Sequence, residues 1–214
     1  MPFEKIAQDV NVENLTPLDV KCTSVKCEVD LHCYRKKRGT RKTVHQQDLW
    51  GTVHQNGNCW ACGRNLVDWS RVHEKDMSDV SYTFEALNTE LIRRVYWHTE
   101  IDQRAVAHAL KKRSQELHSD TKKRLLKYIA IPSYPWDGRQ TPRQGNIIYY
   151  AQHATATCCR KCMEYWYGIP KGIQLNDEQI DYFVELIDLY ISDRMPQLQA
   201  NGLIRQSVRS NGKN

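Results

Sequence analysis

Apolar residues recur at helical steps in the second half of the chain. Phe84, Leu87, Leu91 and Val95 follow one another at intervals of three and four, the mark of one apolar helix face. A helical block is therefore predicted over about residues 83–129. Within it a second helix is predicted from near Asp102 through Ala105, Val106, Ala109 and Leu110 to Leu117. Ser119-Asp120-Thr121 then offers a cap for a further segment carrying Leu125, Leu126 and Ile129, and periodicity leaves open whether these are one helix or two. The clearest pattern lies later, where Ile180, Phe183, Val184, Ile187 and Ile191 define a buried face. Asn176 is a suitable N-cap with Gln179 at the capping-box position, and Pro196 stops the helix.

Between these blocks the pattern changes. Residues 131–146 hold three prolines and two glycines and read as a long loop. Ile147-Ile148-Tyr149-Tyr150-Ala151 reads as a strand running toward Thr157-Cys158-Cys159. A short helix is predicted from Arg160 to Tyr167, ended by Gly168 with Pro170 beyond it. Residues 1–20 form a polar N-terminal segment and 197–214 a polar tail predicted to be mobile. The expected organisation is one domain over 21–196, stapled by zinc, with the helical block of 83–129 as an insertion.

Composition narrows the class. The chain has 214 residues, 26% charged and 40% hydrophobic, in the globular range. No apolar run approaches the roughly 18–20 residues that span a bilayer, and no apolar stretch follows a basic start at Met1. A cytoplasmic protein without membrane contact is expected. In that setting eight clustered cysteines point to metal rather than disulfides.

Two CxxC pairs carry the metal argument. In Cys59-Trp60-Ala61-Cys62-Gly63 two intervening residues let both sulfurs meet one tetrahedral ion at about 2.3 Å. Cys159-Arg160-Lys161-Cys162 lies where the predicted strand gives way to a helix, so free N–H groups and the helix dipole would favour thiolates there. One structural Zn2+ held by Cys59, Cys62, Cys159 and Cys162 is the expectation, with separate ions as the alternative. Cys158 forms CxxxC with Cys162 but reads as a buried thiol outside the site. A second ion is a candidate at Cys22, Cys27 and Cys33 with His32 or His45.

A knuckle, strand elements and a cysteine pair on a helix's first turn resemble the treble-clef zinc-finger superfamily. The resemblance covers the ligand pairs and their flanks, and it implies an α+β fold. That fold would have a zinc-stabilised treble-clef-like core, a large helical insertion and a C-terminal amphipathic helix. Asn146–Arg194, with the Cys22–His73 region, also resembles a bacterial family rich in cysteine and histidine to which no activity is attached. The superfamily includes HNH-type nucleases, whose chemistry needs a histidine base and a metal-binding histidine or asparagine on the helix after the cysteine pair. Here that helix reads Met163-Glu164-Tyr165-Trp166-Tyr167, with Glu164 the only substitute. His153 is the candidate base, against the plainer reading of a structural histidine.

Net charge is +6, and its distribution matters more than its sum. Arg35, Lys36, Lys37, Arg38, Arg41 and Lys42 are six cations in eight residues, a run suited to phosphates. Arg104, Lys111 and Lys122 would align as a second basic stripe on a continuous helix. Trp60, Tyr149, Tyr150, Tyr165, Trp166 and Tyr167 would stack on bases or pack a core. The sequence thus predicts a zinc-stabilised binding module that contacts nucleic acid as an accessory subunit of a larger bacterial assembly. An HNH-like metal-dependent nuclease and a protein–protein adaptor are the alternatives.

Overall fold

The computed structural model describes residues 66–131 and 141–198. Their secondary structure is helical, and no strand occurs among them, which overturns the expected α+β class and its treble-clef-like core. By its internal contacts the chain forms two compact units. Among the described residues, one comprises 66–100 with Tyr165–Gly168, and the other comprises 101–131, 141–164 and 169–198.

The first unit begins its described part with α1, Trp69–Glu74. Asp68 caps it by accepting from the Arg71 N–H, and Lys75 closes it in the left-handed conformation at φ 54°. A 3₁₀ turn, Met77–Asp79, leads into α2, Val80–Thr89, and then α3, Leu91–His98. The apolar stripe read from Phe84 to Val95 is thus carried by two helices. Glu90 makes the break: its backbone is extended at ψ 135°, and its Oε2 accepts from the Arg93 N–H at 3.0 Å. Both side chains are buried, with Arg93 Nε 3.6 Å from Glu90 Oε2. Burial pushes the Glu90 carboxyl above its ordinary range, and the Arg93 charge offsets part of that. Apolar spacing continues across the break, so periodicity alone does not reveal it. Trp69 packs edge-on against Tyr165 and Trp166 at centroid distances of 5.0 and 4.8 Å.

The second unit is built on α4, Gln103–Leu125, which runs through a π turn at Leu126–Ala130. Asp102 caps α4 by accepting from the Ala105 N–H at 2.9 Å. The same carboxylate accepts from Gly145 N–H at 2.7 Å and from the Tyr150 hydroxyl at 2.8 Å, tying the segment before α5 to the start of α4. The question of one helix or two resolves at Arg113, not at Ser119. Arg113 has φ 66° and ψ 167°, so α4 consists of two helical arms meeting there. A side-chain-bearing residue in that region costs about 1–3 kcal/mol.

Ile147–Ala154 is helix α5, not a strand. Asn146 caps it, accepting from Ile148 N–H at 3.0 Å. Ile147, Ile148, Tyr150, Ala151 and Ala154 are all buried, so the helix is apolar nearly all round. A short run without alternation cannot be told from a buried strand by periodicity, which explains the misreading. Helix α6 spans Arg160–Tyr167 as read, with Gly168 at φ 59° beyond it. Helix α7, Asp177–Arg194, has both halves of the Asn176–Gln179 capping box. All five residues assigned to its apolar face are buried, and it packs on α4 and α5. No helix among the described residues is long and apolar enough to cross a membrane.

Candidate metal centre

The chain turns between α5 and α6, and this turn builds the site. After Thr155, Ala156 adopts the left-handed conformation at φ 55°. The Thr157 N–H then donates to Gln152 O at 2.9 Å, a six-to-one closure typical of a helix ended by a left-handed residue. Gln152 holds the turn from inside. Its Nε2 donates to Thr157 O at 3.1 Å, and its Oε1 accepts from Arg124 Nε at 2.7 Å and from the Thr141 hydroxyl at 3.1 Å. The Thr155 and Thr157 hydroxyls lie 3.0 Å apart, and the Thr141 N–H donates to Cys158 O at 3.0 Å. Every side chain from Ala151 through Arg160 is buried.

Cys158, Cys159 and Cys162 come together at this corner. Their Sγ atoms all lie within 4.8 Å of one another, and the Cys158–Cys162 pair is 3.5 Å apart. A tetrahedral ion with bonds of ~2.3 Å separates its sulfur ligands by about 3.8 Å, so the triangle matches one coordination sphere. Cys159 stands at the N-cap of α6, where its carbonyl accepts from Met163 N–H at 3.1 Å. Hydrogen bonds from the Cys158 and Cys162 thiols lower the Cys159 thiol's pKa against the effect of burial, and the Lys161 and Cys162 backbone N–H groups add to this. Cys158 moves the other way, raised by those same thiol contacts and by burial. The cluster therefore favours a thiolate at Cys159 and a protonated thiol at Cys158.

Two of these three cysteines, Cys159 and Cys162, belong to the pair expected from the sequence. Cys158 was set aside as a spare thiol, yet it is part of the cluster. The signal was present in its spacing: residues four apart around the first turn of a helix share one side. Cys59 and Cys62, expected to share the ion, lie outside the described residues, as do Cys22, Cys27, His32, Cys33 and His45. The basic run of Arg35, Lys36, Lys37, Arg38, Arg41 and Lys42 also lies outside them, as does Trp60. His153, the candidate base, lies within the described residues. It is buried, and its Nε2–H donates to Thr141 O at 3.0 Å. Glu164, the only residue on α6 able to replace an HNH ligand, is exposed and pairs with Lys171 at 3.2 Å. Of the aromatic set, Tyr150, Trp166 and Tyr167 are buried and serve packing, while Tyr149 lies under the Arg124 guanidinium at 4.3 Å.

The second basic stripe does not form as read. The change of direction at Arg113 breaks the alignment. Lys112 pairs with Asp120 at 3.0 Å and Lys122 with Asp181 at 2.5 Å, so these cations are spent on acids of the same unit.

Fold and site together define a protein whose described part is helical and carries a buried three-cysteine cluster that could hold a metal ion. Residues 81–192, more than half of the chain, match the family described as Domain of unknown function (DUF4186). The chain belongs to that family, and the matched region contains all three cysteines. No solved structure matches it.

Proposed function

We propose that the protein is a zinc-stabilised binding module in which Cys158, Cys159 and Cys162 hold a structural ion. The convergence of three buried Sγ atoms within 4.8 Å carries this reading. One divalent cation would satisfy all three sulfurs at once as thiolates. When bound, the ion supplies a clamp between the α5–α6 turn and the first turn of α6. The sequence expectation that Cys59 and Cys62 contribute to the same ion enters here as part of the proposal, as does nucleic acid as the partner of the Arg35–Lys42 run.

Single Cys→Ser replacements, each assayed for bound metal per chain, test the reading. Replacement at Cys158, Cys159 or Cys162 is expected to reduce retained zinc at least tenfold under mild chelation and to lower the melting temperature. Replacement of Cys59 or Cys62 reports whether that pair serves the same ion. Full metal content in the Cys158→Ser protein would contradict the three-thiol site.

A further inference from the structure

The distal arm of α4 and helix α7 run antiparallel, as their paired residues show: Lys122 meets Asp181, and His118 meets Asp188. His118 Nδ1 lies 2.5 Å from Asp188 Oδ2, across seventy residues of chain. One turn further along each helix the next rung would set Ser114 against Ser192. No ion pair fills that rung. Instead a cavity of about 350 Å³ opens there, within the range of small-molecule sites.

Its walls divide by chemistry. Leu117, Ile191 and Leu198 are buried and give it an apolar floor. Ser114, Gln115 and Ser192 place two hydroxyls and an amide around it, and His118 with Asp188 closes one end. An ionised carboxylate only accepts hydrogen bonds, so Nδ1 of His118 carries the proton that Asp188 receives. In the neutral imidazole the other nitrogen, Nε2, is then the acceptor, and the residue that carries it lines the cavity. More than half of the His118 side chain is exposed, which leaves that end open to a ligand. The strained backbone of Arg113 immediately precedes Ser114, so the break in α4 falls where the cavity begins.

We infer that this cavity is a binding site for a small neutral molecule with an apolar body and a hydrogen-bond-donating head, an alcohol or amide. The head donates to His118 Nε2, which Asp188 orients, and the body lies on Leu117 and Ile191. Ser114 and Ser192 supply the remaining hydrogen bonds. None of the cysteines takes part.

The test uses the full chain at about pH 8. Benzyl alcohol, benzamide and benzoate serve as probes, read by the imidazole nitrogen resonances of His118 and by ligand relaxation. Benzyl alcohol and benzamide are expected to shift Nε2 saturably, and benzoate, which offers no donor, to bind at least fivefold more weakly. Ser192→Leu, which fills the cavity, and His118→Gln, which removes the exposed acceptor, are each expected to weaken benzamide binding at least fivefold. Failure of benzyl alcohol or benzamide to saturate, equal binding of benzoate, or unchanged binding in a folded variant would overturn the assignment.

Discussion

Arg113 is the residue whose conformation departs furthest from its surroundings. At φ 66° and ψ 167° inside α4 it occupies a region natural to glycine, and the helix changes direction there. Arg113→Gly should relieve that strain and raise stability by roughly 1 kcal/mol, measured as a shift in the denaturant midpoint with unchanged slope. A loss of stability would mean that the Arg113 side chain holds contacts worth more than its strain. Nothing in the sequence points to this residue, since Lys112, Arg113 and Ser114 are all acceptable in a helix interior. The same limit applied at Cys158: its type was visible, but its membership of the cluster depended on a left-handed Ala156 turning the chain toward α6. An alanine gives no warning of that, where a glycine would have.

Legibility at the level of elements followed burial. Helix α7 has one buried face and one wet one, so its pattern, cap and stop were readable and agree with the structure. Helix α5 is buried nearly all round, and a run of Ile, Ile, Tyr and Tyr then looks like a strand. Its register is nonetheless strongly fixed, through Tyr150. The Tyr150 hydroxyl donates to Asp102, and burial together with that carboxylate pushes the phenol's pKa from 10.0 up to about 12. A phenol with a raised folded-state pKa keeps its proton longer in the folded chain. Its contribution is therefore whole below pH 10 and is lost as pH rises toward 12. Stability of the native protein should fall more steeply across that window than stability of Tyr150→Phe, followed by denaturation at a series of alkaline pH values. Parallel curves would show that the link between α4 and α5 does not depend on this proton. Asp102 adds a complementary effect at the acid end. Burial alone would raise its pKa, but hydrogen bonds from Gly145, Ala105 and Tyr150 hold it below the ordinary carboxylate range. That contribution is present above the unfolded value and is lost as pH falls through the folded one.

At the scale of the molecule, the chain is a member of its family whose described part is helical and carries a thiol-rich corner. The α+β expectation failed because it took a cysteine pair beside an apolar run as evidence of a strand–helix junction. The pair does stand at the start of a helix, but a second helix precedes it. Composition was a better guide than motif context: clustered cysteines did foretell a site able to hold a metal. For the proposed nucleic-acid partner the global prediction is a salt dependence. Six cations in Arg35–Lys42 contacting phosphates should lower affinity for duplex DNA or RNA by roughly 10³-fold or more between about 50 and 200 mM salt. Gel shifts across that range check it, and absence of binding at the lowest salt would remove nucleic acid as the partner.

X-ray absorption at the edge of the metal retained by the folded, chelator-free protein tests the three-thiol centre most directly. A first shell with at least three sulfurs at about 2.3 Å is expected. A folded protein that retains no stoichiometric metal, or whose metal shows only oxygen and nitrogen neighbours, would contradict it.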